Sequence, residues 1–277
     1  MQLTIRLLEF VQKSEDTTAS DYAEWASSLS SLVSLHLITS DVDNVNDDCL
    51  NKLSAILLQC VKLEKFVSQY GFIGCKTGIN YGSLFNALQR ISTLSSFDIF
   101  GNHVGHLKED DLESLSSFIK SSNLKYINLA WNDLEKLTDD NFRKLFISIQ
   151  ESEKLEELNL TLNDFSSISQ NKFEVLCSCL SGCPKLLRFY INTDHVATTR
   201  KQRLCDIKCR LEAKKSQQHI QPLTPSILKQ VTINLEEPVE TQHTPLEITT
   251  VSEEVVPTST VVAACKQNRF SRKCLIM

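Results

Sequence analysis

The chain has 277 residues, of which 42% are hydrophobic and 23% are charged, and its formal net charge is -5. This balance excludes a chain that is disordered throughout, and no run of about 18 apolar residues predicts a membrane-spanning helix. Ten cysteines in a chain of this size, without a secretory signal at its start, indicate reduced thiols in a cytosolic compartment.

One leucine-rich pattern, LxxLxLxxNxL, recurs along most of the chain. The opening LTIRLLEF looks like a truncated first copy, and full copies then follow every 30 or 31 residues. A short apolar segment that recurs at this period predicts strands that stack side by side. The full copies begin at Leu32, Leu63, Leu94, Leu124, Leu155 and Leu186, and those at Leu63 and Leu186 are the weaker ones.

The segments between these strands carry apolar residues at helical spacing. Each has a triad at offsets 0, +3 and +7, which gives one apolar stripe on a helix. Capping residue types stand four positions before several triads, at Thr18, Asn46, Thr77, Thr138 and Ser169. The triads are Tyr22/Trp25/Leu29, Leu50/Leu53/Leu57, Tyr81/Leu84/Leu88, Leu112/Leu115/Ile119, Phe142/Leu145/Ile149, Phe173/Leu176/Leu180 and Leu204/Ile207/Leu211.

The motif and its period resemble the leucine-rich repeat family, in particular the long repeats of ribonuclease inhibitor. The resemblance implies an α/β solenoid, with parallel strands on a concave face and helices on a convex face. In that family the consensus asparagine bonds the backbone of the turn after the strand, a role that falls here to Asn102, Asn132 and Asn163. We call this row of asparagine hydrogen bonds the asparagine ladder. Ser40 and Gly71 replace the asparagine in two copies, where we expect the ladder to be weaker.

The concave face is the expected binding surface of such a solenoid. Strand alternation buries the consensus apolar positions and projects the residues between them in three columns. Exposed aromatic side chains, with charges beside them, are typical anchors of a protein interface. We therefore expect a protein partner here, and no nucleic acid, metal or cofactor. The predicted contacts are Phe100, Tyr126, Trp131, Tyr190, Asp98, Glu157 and Arg188.

The composition changes abruptly after residue 215. Five of the six prolines lie in the last 62 residues, which are rich in Thr, Val, Glu and Gln and lack the repeat. We predict a leucine-rich repeat domain of about seven units over residues 1–215, a disordered tether over 216–273 and a CaaX motif over 274–277.

The final CLIM matches the substrate pattern of prenyltransferases, and methionine at its last position favours farnesyl. We expect Cys274 to carry the prenyl group and treat Cys265 as a candidate for palmitoylation. One lipid chain binds a membrane only marginally, so basic residues upstream would add attraction to an anionic leaflet. Because prenylation is eukaryotic chemistry, we expect the cytoplasmic face of a membrane in a eukaryotic cell. The basic residues are Lys266, Arg269, Arg272 and Lys273.

The sequence predicts a membrane-tethered protein-interaction module rather than an enzyme. It has no phosphate-binding glycine loop, no GxSxG and no HExxH. The cysteines of CSCLSGC match no standard zinc spacing and are expected to pack in amphipathic helices. His103 and His106 follow a predicted strand, and we expect them to be loop residues.

The irregular repeats, with INLAWNDL and LNLTLNDF among them, resemble the leucine-rich effectors that intracellular bacteria such as Legionella inject into host cells. That resemblance implies action in a host cell. Two alternatives stay open, a regulator of a small GTPase and a soluble leucine-rich repeat scaffold without a lipid anchor. A GTPase regulator would need a positioned Arg or Asn in a strand-to-helix loop. A prenylated ubiquitin-ligase adaptor would carry an N-terminal F-box, for which repeats that begin near Met1 leave no room.

Overall fold

A computed structural model gives the structure of the chain and describes residues 1–6, 28–38 and 45–219. The predictions on Thr18, Tyr22, Trp25 and Ser40 lie outside the described residues, as do those on the segment from residue 220 onward.

The described strands form one sheet of seven parallel strands, which lie in chain order. Each consecutive pair is joined by a crossover, as expected when every strand belongs to one repeat. The last four strands have three residues each, because the chain turns before the third predicted column is reached. The strands are β1 Gln2–Arg6, β2 Ser34–Ile38, β3 Lys65–Gln69, β4 Ser96–Asp98, β5 Tyr126–Asn128, β6 Glu157–Asn159 and β7 Arg188–Tyr190.

Helices follow the strands and pack against each other in the same order. The last helix continues to His219, four residues beyond the end of the predicted repeat domain at 215. No helix among the described residues combines the length and the apolar character needed to cross a membrane. The helices are α1 Asp47–Leu57, α2 Gly82–Gln89, α3 Glu109–Ser121, α4 Asp139–Gln150, α5 Gln170–Gly182 and α6 Thr198–His219.

The apolar triads form the core between sheet and helices. Each of the six triads from Leu50 to Leu211 is buried, and Leu29 of the first triad is buried as well. The consensus strand positions meet them from the sheet, for example Phe97, whose ring lies 5.0 Å from that of Phe118. The fold class predicted from the two periodicities is confirmed: the described residues form a leucine-rich repeat solenoid.

Three of the predicted helix caps are confirmed. The side chains of Asn46, Thr138 and Ser169 accept hydrogen bonds from backbone N–H groups three residues further on. The prediction for Thr77 is wrong, because α2 begins only at Gly82. The Gly82 N–H instead donates to Asn80 Oδ1 at 2.9 Å and to Asp111 Oδ1 of the next repeat at 2.8 Å, so a local amide and a neighbouring carboxylate share this N–H.

The predicted asparagine ladder is present. Asn102 Oδ1 accepts from Ile73 N at 3.0 Å, and Asn102 Nδ2 donates to Ser68 O at 2.7 Å, so it bonds the preceding repeat. Asn132 and Asn163 each repeat this arrangement one unit further on. The ladder satisfies buried backbone groups that the short strands leave unpaired, and it sets the spacing of the strand-to-helix loops.

Candidate protein-binding face

One residue shortly after each of the strands β3 to β6 adopts a left-handed backbone conformation. The φ angles are 59° at Tyr70, 69° at Gly101, 54° at Trp131 and 61° at Leu162. Each of these residues stands immediately before the consensus asparagine position of its repeat. A left-handed conformation costs a non-glycine residue roughly 1–2 kcal/mol. Three of the four positions nevertheless carry a large apolar side chain, and strain of this kind is concentrated at functional sites.

Hydrogen bonds between repeats hold these strained residues in line. Tyr70 N donates to Phe100 O at 3.0 Å, Gly101 N to Ala130 O at 3.0 Å and Trp131 N to Thr161 O at 2.9 Å. Each N–H therefore bonds the carbonyl next to the equivalent residue of the following repeat. As a result, the side chains at this position stand in one row along the edge of the sheet.

Three aromatic rings in and beside this row contact each other, and we call Tyr70, Phe100 and Trp131 the rim cluster. The ring centroids lie 5.3 Å apart for Tyr70 and Phe100, 5.8 Å for Phe100 and Trp131 and 6.2 Å for Tyr70 and Trp131. Tyr70 is 61% exposed and Trp131 38% exposed, and Leu162, in the next repeat, is 52% exposed. The rim cluster is thus an ordered apolar surface that faces solvent.

Gly101 makes the rim cluster sterically feasible. A Cβ atom on Gly101 would lie 3.3 Å from Trp131 Cε3 and 3.3 Å from Tyr70 Cδ1, closer than most real contacts of this kind. A side chain here would therefore push Tyr70 and Trp131 apart.

Asp98 is buried beside the rim cluster and bonds its neighbours there, rather than projecting into solvent. It was predicted as an exposed contact, but it is only 8% exposed. Its Oδ1 accepts from Phe100 N at 3.0 Å and from Asn128 Nδ2 at 3.1 Å, and its Oδ2 accepts from Gln69 Nε2 at 3.1 Å. The bond to the backbone two residues ahead is an Asx turn, which directs the chain into the rim position.

A second group of predicted contacts lies on the strands of the last three repeats. Tyr126, Glu157 and Arg188 are in register on neighbouring strands. Arg188 binds Glu157 Oε2 through Nη2 at 2.6 Å and through Nε at 3.0 Å. Burial raises the pKa of Tyr126 to about 12, with a further contribution from the nearby Asp98 carboxylate. Tyr190 is 43% exposed on the last strand.

The structure therefore brings the predicted residues together in two groups, Phe100 with Trp131 and Tyr126 with Glu157 and Arg188. Sequence reasoning missed Tyr70 and Leu162, although both stand in the alignment at the position of Trp131. The predicted prenylation site Cys274, the candidate palmitoylation site Cys265 and the predicted basic residues near them lie outside the described residues.

The cysteines of CSCLSGC pack in the core, as the sequence predicts. Cys177, Cys179 and Cys183 are buried, and the Cys179 and Cys183 sulfur atoms lie 3.9 Å apart. Burial raises the pKa of the Cys179 thiol well above its ordinary value.

Comparison with known proteins gives similarity to solved structures only. No protein-family model matches the chain, and no curated protein does. The chain is similar to the tropomodulin C-terminal domain of Caenorhabditis elegans, with 12% identity and a TM-score of 0.41 over 77% of this chain and 98% of that one.

Two further solved structures are similar at the same low level. Leiomodin-1 actin-binding site 2 has 10% identity and a TM-score of 0.39, over 78% of this chain and 99% of that one. The leucine-rich repeat-containing protein LegL7 from Legionella pneumophila has 16% identity and a TM-score of 0.46. That match covers 76% of this chain and 62% of LegL7.

Proposed function

We propose that the solenoid is a non-catalytic protein-interaction module and that its partner docks on the rim cluster and Leu162. The mutually packed rings of exposed Tyr70 and Trp131 and half-buried Phe100 carry this proposal. Tyrosine and tryptophan are the residues that most often dominate protein interfaces, and they act from the centre of a contact surface.

The rim cluster is suited to binding because it is ordered without a partner. Aromatic pairs at these distances and angles stabilise each other by about 0.5–1.5 kcal/mol beyond their burial. The inter-repeat hydrogen bonds at Tyr70 and Trp131 fix the backbone beneath the rings. A partner therefore meets a surface whose side chains lose little rotamer freedom on binding, which lowers the cost of association.

The charged pair on the strands supplies polar contacts beside the apolar ones. Arg188 is about half exposed although it binds Glu157, so its guanidinium keeps donors that face solvent. Charges at the edge of an interface select partners and set orientation more than they add affinity. The proposed partner is thus a protein with an apolar patch and acidic groups beside it.

Site-specific photo-crosslinking in eukaryotic cytosol tests the proposed docking surface. A photoreactive phenylalanine replaces Trp131 in one variant and Ile147 in a matched control, since Ile147 is 40% exposed on helix α4. We expect a discrete crosslinked protein from position 131 and none from position 147. Crosslinks of equal yield and composition from both positions would contradict a docking surface at the rim.

The second part of the proposal is a lipid anchor, with Met277 taken as the natural C-terminus. CLIM supplies the prenylation pattern on Cys274, and the basic residues before it supply attraction to an anionic leaflet. The module would then present its rim cluster at the cytoplasmic face of a membrane in a eukaryotic cell. A bacterial effector would work in this way inside a host cell.

We expect Cys274→Ser to abolish prenylation and move the protein from membranes to the cytosol. Intact mass and membrane fractionation of protein from eukaryotic cells measure both, and wild type should show a farnesyl-sized gain with loss of the last three residues. The matched control Cys265→Ser should keep the prenyl group. An unmodified wild-type mass would leave a module without a lipid anchor and would refute only this second part.

A further inference from the structure

Two histidines and an aspartate meet where the loops of two neighbouring repeats touch. His103 immediately precedes a 3₁₀ turn at Val104–His106, of which His106 is the last residue, and Asp133 immediately precedes the equivalent turn at Leu134–Lys136. A 3₁₀ helix has three residues per turn, so side chains at i and i+3 point to the same side. Both imidazoles therefore lie on the side that faces Asp133.

The possible ligand atoms of this cluster lie close enough together to hold one metal ion. Asp133 Oδ2 lies 3.1 Å from His103 Nδ1 and 3.7 Å from His106 Nε2, and all three atoms lie within 4.8 Å of one another. With zinc bonds near 2.0–2.1 Å, ligand atoms of a tetrahedral site are about 3.3 Å apart. The two distances to Asp133 bracket this value.

The backbone holds the two loops in this position. A Cβ atom on Gly105 would lie 1.9 Å from Asp133 O, so only glycine permits the approach. Gly105 N donates to Asn132 O at 2.9 Å, which ties the histidine-bearing turn to the residue before Asp133. The ligands thus stand on a rigid frame rather than on independent loops.

Lys136 supplies the positive charge in the metal-free arrangement. Its Nζ lies 3.3 Å from Asp133 Oδ1 and 3.2 Å from His106 Nε2. Burial tends to raise the pKa of Asp133, but the hydrogen bond with His103 and the charge of Lys136 lower it below its ordinary value. Because Lys136 is about half exposed, its ammonium can move into solvent when a cation takes its place.

We propose that His103, His106 and Asp133 bind a zinc ion and that water completes the tetrahedron on the exposed side. Two imidazole nitrogens with one carboxylate oxygen suit zinc, whereas Mg²⁺ and Ca²⁺ prefer oxygen ligands throughout. The ion would cross-link the fourth and fifth strands' loops, next to the rim cluster. This inference replaces the sequence expectation that the chain has no metal ligands.

Competition with a chromophoric zinc chelator measures the affinity, and thermal unfolding with and without zinc measures the stabilisation. The full chain is used with Cys205, Cys209, Cys265 and Cys274 replaced by serine, so that these thiols do not compete for the ion. We expect one zinc per chain and a higher Tm with zinc than with EDTA, because a ligand of the native state stabilises it.

Matched variants test which residues bind the zinc ion. We expect His103→Gln and His106→Gln each to weaken binding by at least tenfold and to remove the zinc-dependent rise in Tm. His195→Gln, which changes an exposed histidine of another loop, should leave both unchanged. Lys136→Gln should tighten binding severalfold, because the competing ammonium is gone. Equal melting temperatures of the variants in EDTA exclude misfolding as the cause. Absence of zinc binding in the parent chain, or an affinity in both ligand variants equal to that of the parent, would overturn the proposal.

Discussion

Asn163→Ala is expected to lower the free energy of unfolding by about 4 kcal/mol or more, the largest effect of any single ladder substitution. Asn163 Oδ1 accepts from Asn132 N at 3.0 Å and from Leu134 N at 3.1 Å, and its Nδ2 donates to Leu129 O and Leu160 O at 3.0 Å each. Alanine leaves four backbone groups without their partner at a site that is only 5% exposed. Each buried group without a hydrogen bond costs about 1–3 kcal/mol.

Equilibrium unfolding in urea measures this loss, with Asn192→Ala as the matched control. Asn192 is also a loop asparagine that bonds the preceding repeat, through a single bond from Leu162 N, but it is exposed. Water can replace that bond, so we expect a loss below about 1 kcal/mol. Equal losses for the two variants would show that the ladder does not hold the repeats together.

Gly105→Ala is expected to destabilise the chain by about 2–4 kcal/mol. The new Cβ would meet Asp133 O at 1.9 Å and Asp133 C at 2.7 Å, so one of two backbone segments must move. Overpacking against a fixed neighbour typically costs about 1–3 kcal/mol. The displacement would also stretch the bond from Gly105 N to Asn132 O, which adds to the loss.

Gly182→Ala is the matched control for Gly105→Ala. Its Cβ would also approach a neighbour closely, Gln150 Nε2 at 2.6 Å, but that atom ends a flexible side chain. Gly182 closes helix α5, where alanine is favoured over glycine by up to about 1 kcal/mol. We expect little change or a small gain in Tm, and a fall as large as that of Gly105→Ala would contradict the distinction between backbone and side-chain neighbours.

The repeat architecture was predictable because it depends on local patterns that recur. Each triad buries its own stripe and each consensus asparagine bonds the adjacent unit, so alignment alone gave the sheet order, the core and the ladder. The prediction of a helix cap at Thr77 was wrong because the helix begins later, at Gly82, where Asn80 and Asp111 of the next repeat accept from the first N–H.

The proposed binding face was less predictable, because its details depend on how the repeats stack. Strand alternation predicted a third projecting column, but β5 ends at Asn128 and Ala130, which stands in that column, is buried. Asp98 is drawn inward by bonds to a strand on either side. Nothing local in the sequence reveals the left-handed conformation of Tyr70, and Asp133 approaches His103 only through a contact between repeats.

The affinity of the crosslinked partner for rim variants is the most direct test of the proposed binding face. The variant Tyr70→Ser/Trp131→Ser removes both exposed rings of the rim cluster, and the control Leu58→Ser/Ile147→Ser removes two apolar side chains of similar exposure, 43% and 40%. Loss of aromatic anchors costs about 2 kcal/mol or more, so we predict at least a thirtyfold weaker Kd for the rim variant. The control should stay within about twofold of wild type. An unchanged Kd for the rim variant, or an equal loss in the control, would contradict a binding face at the rim cluster.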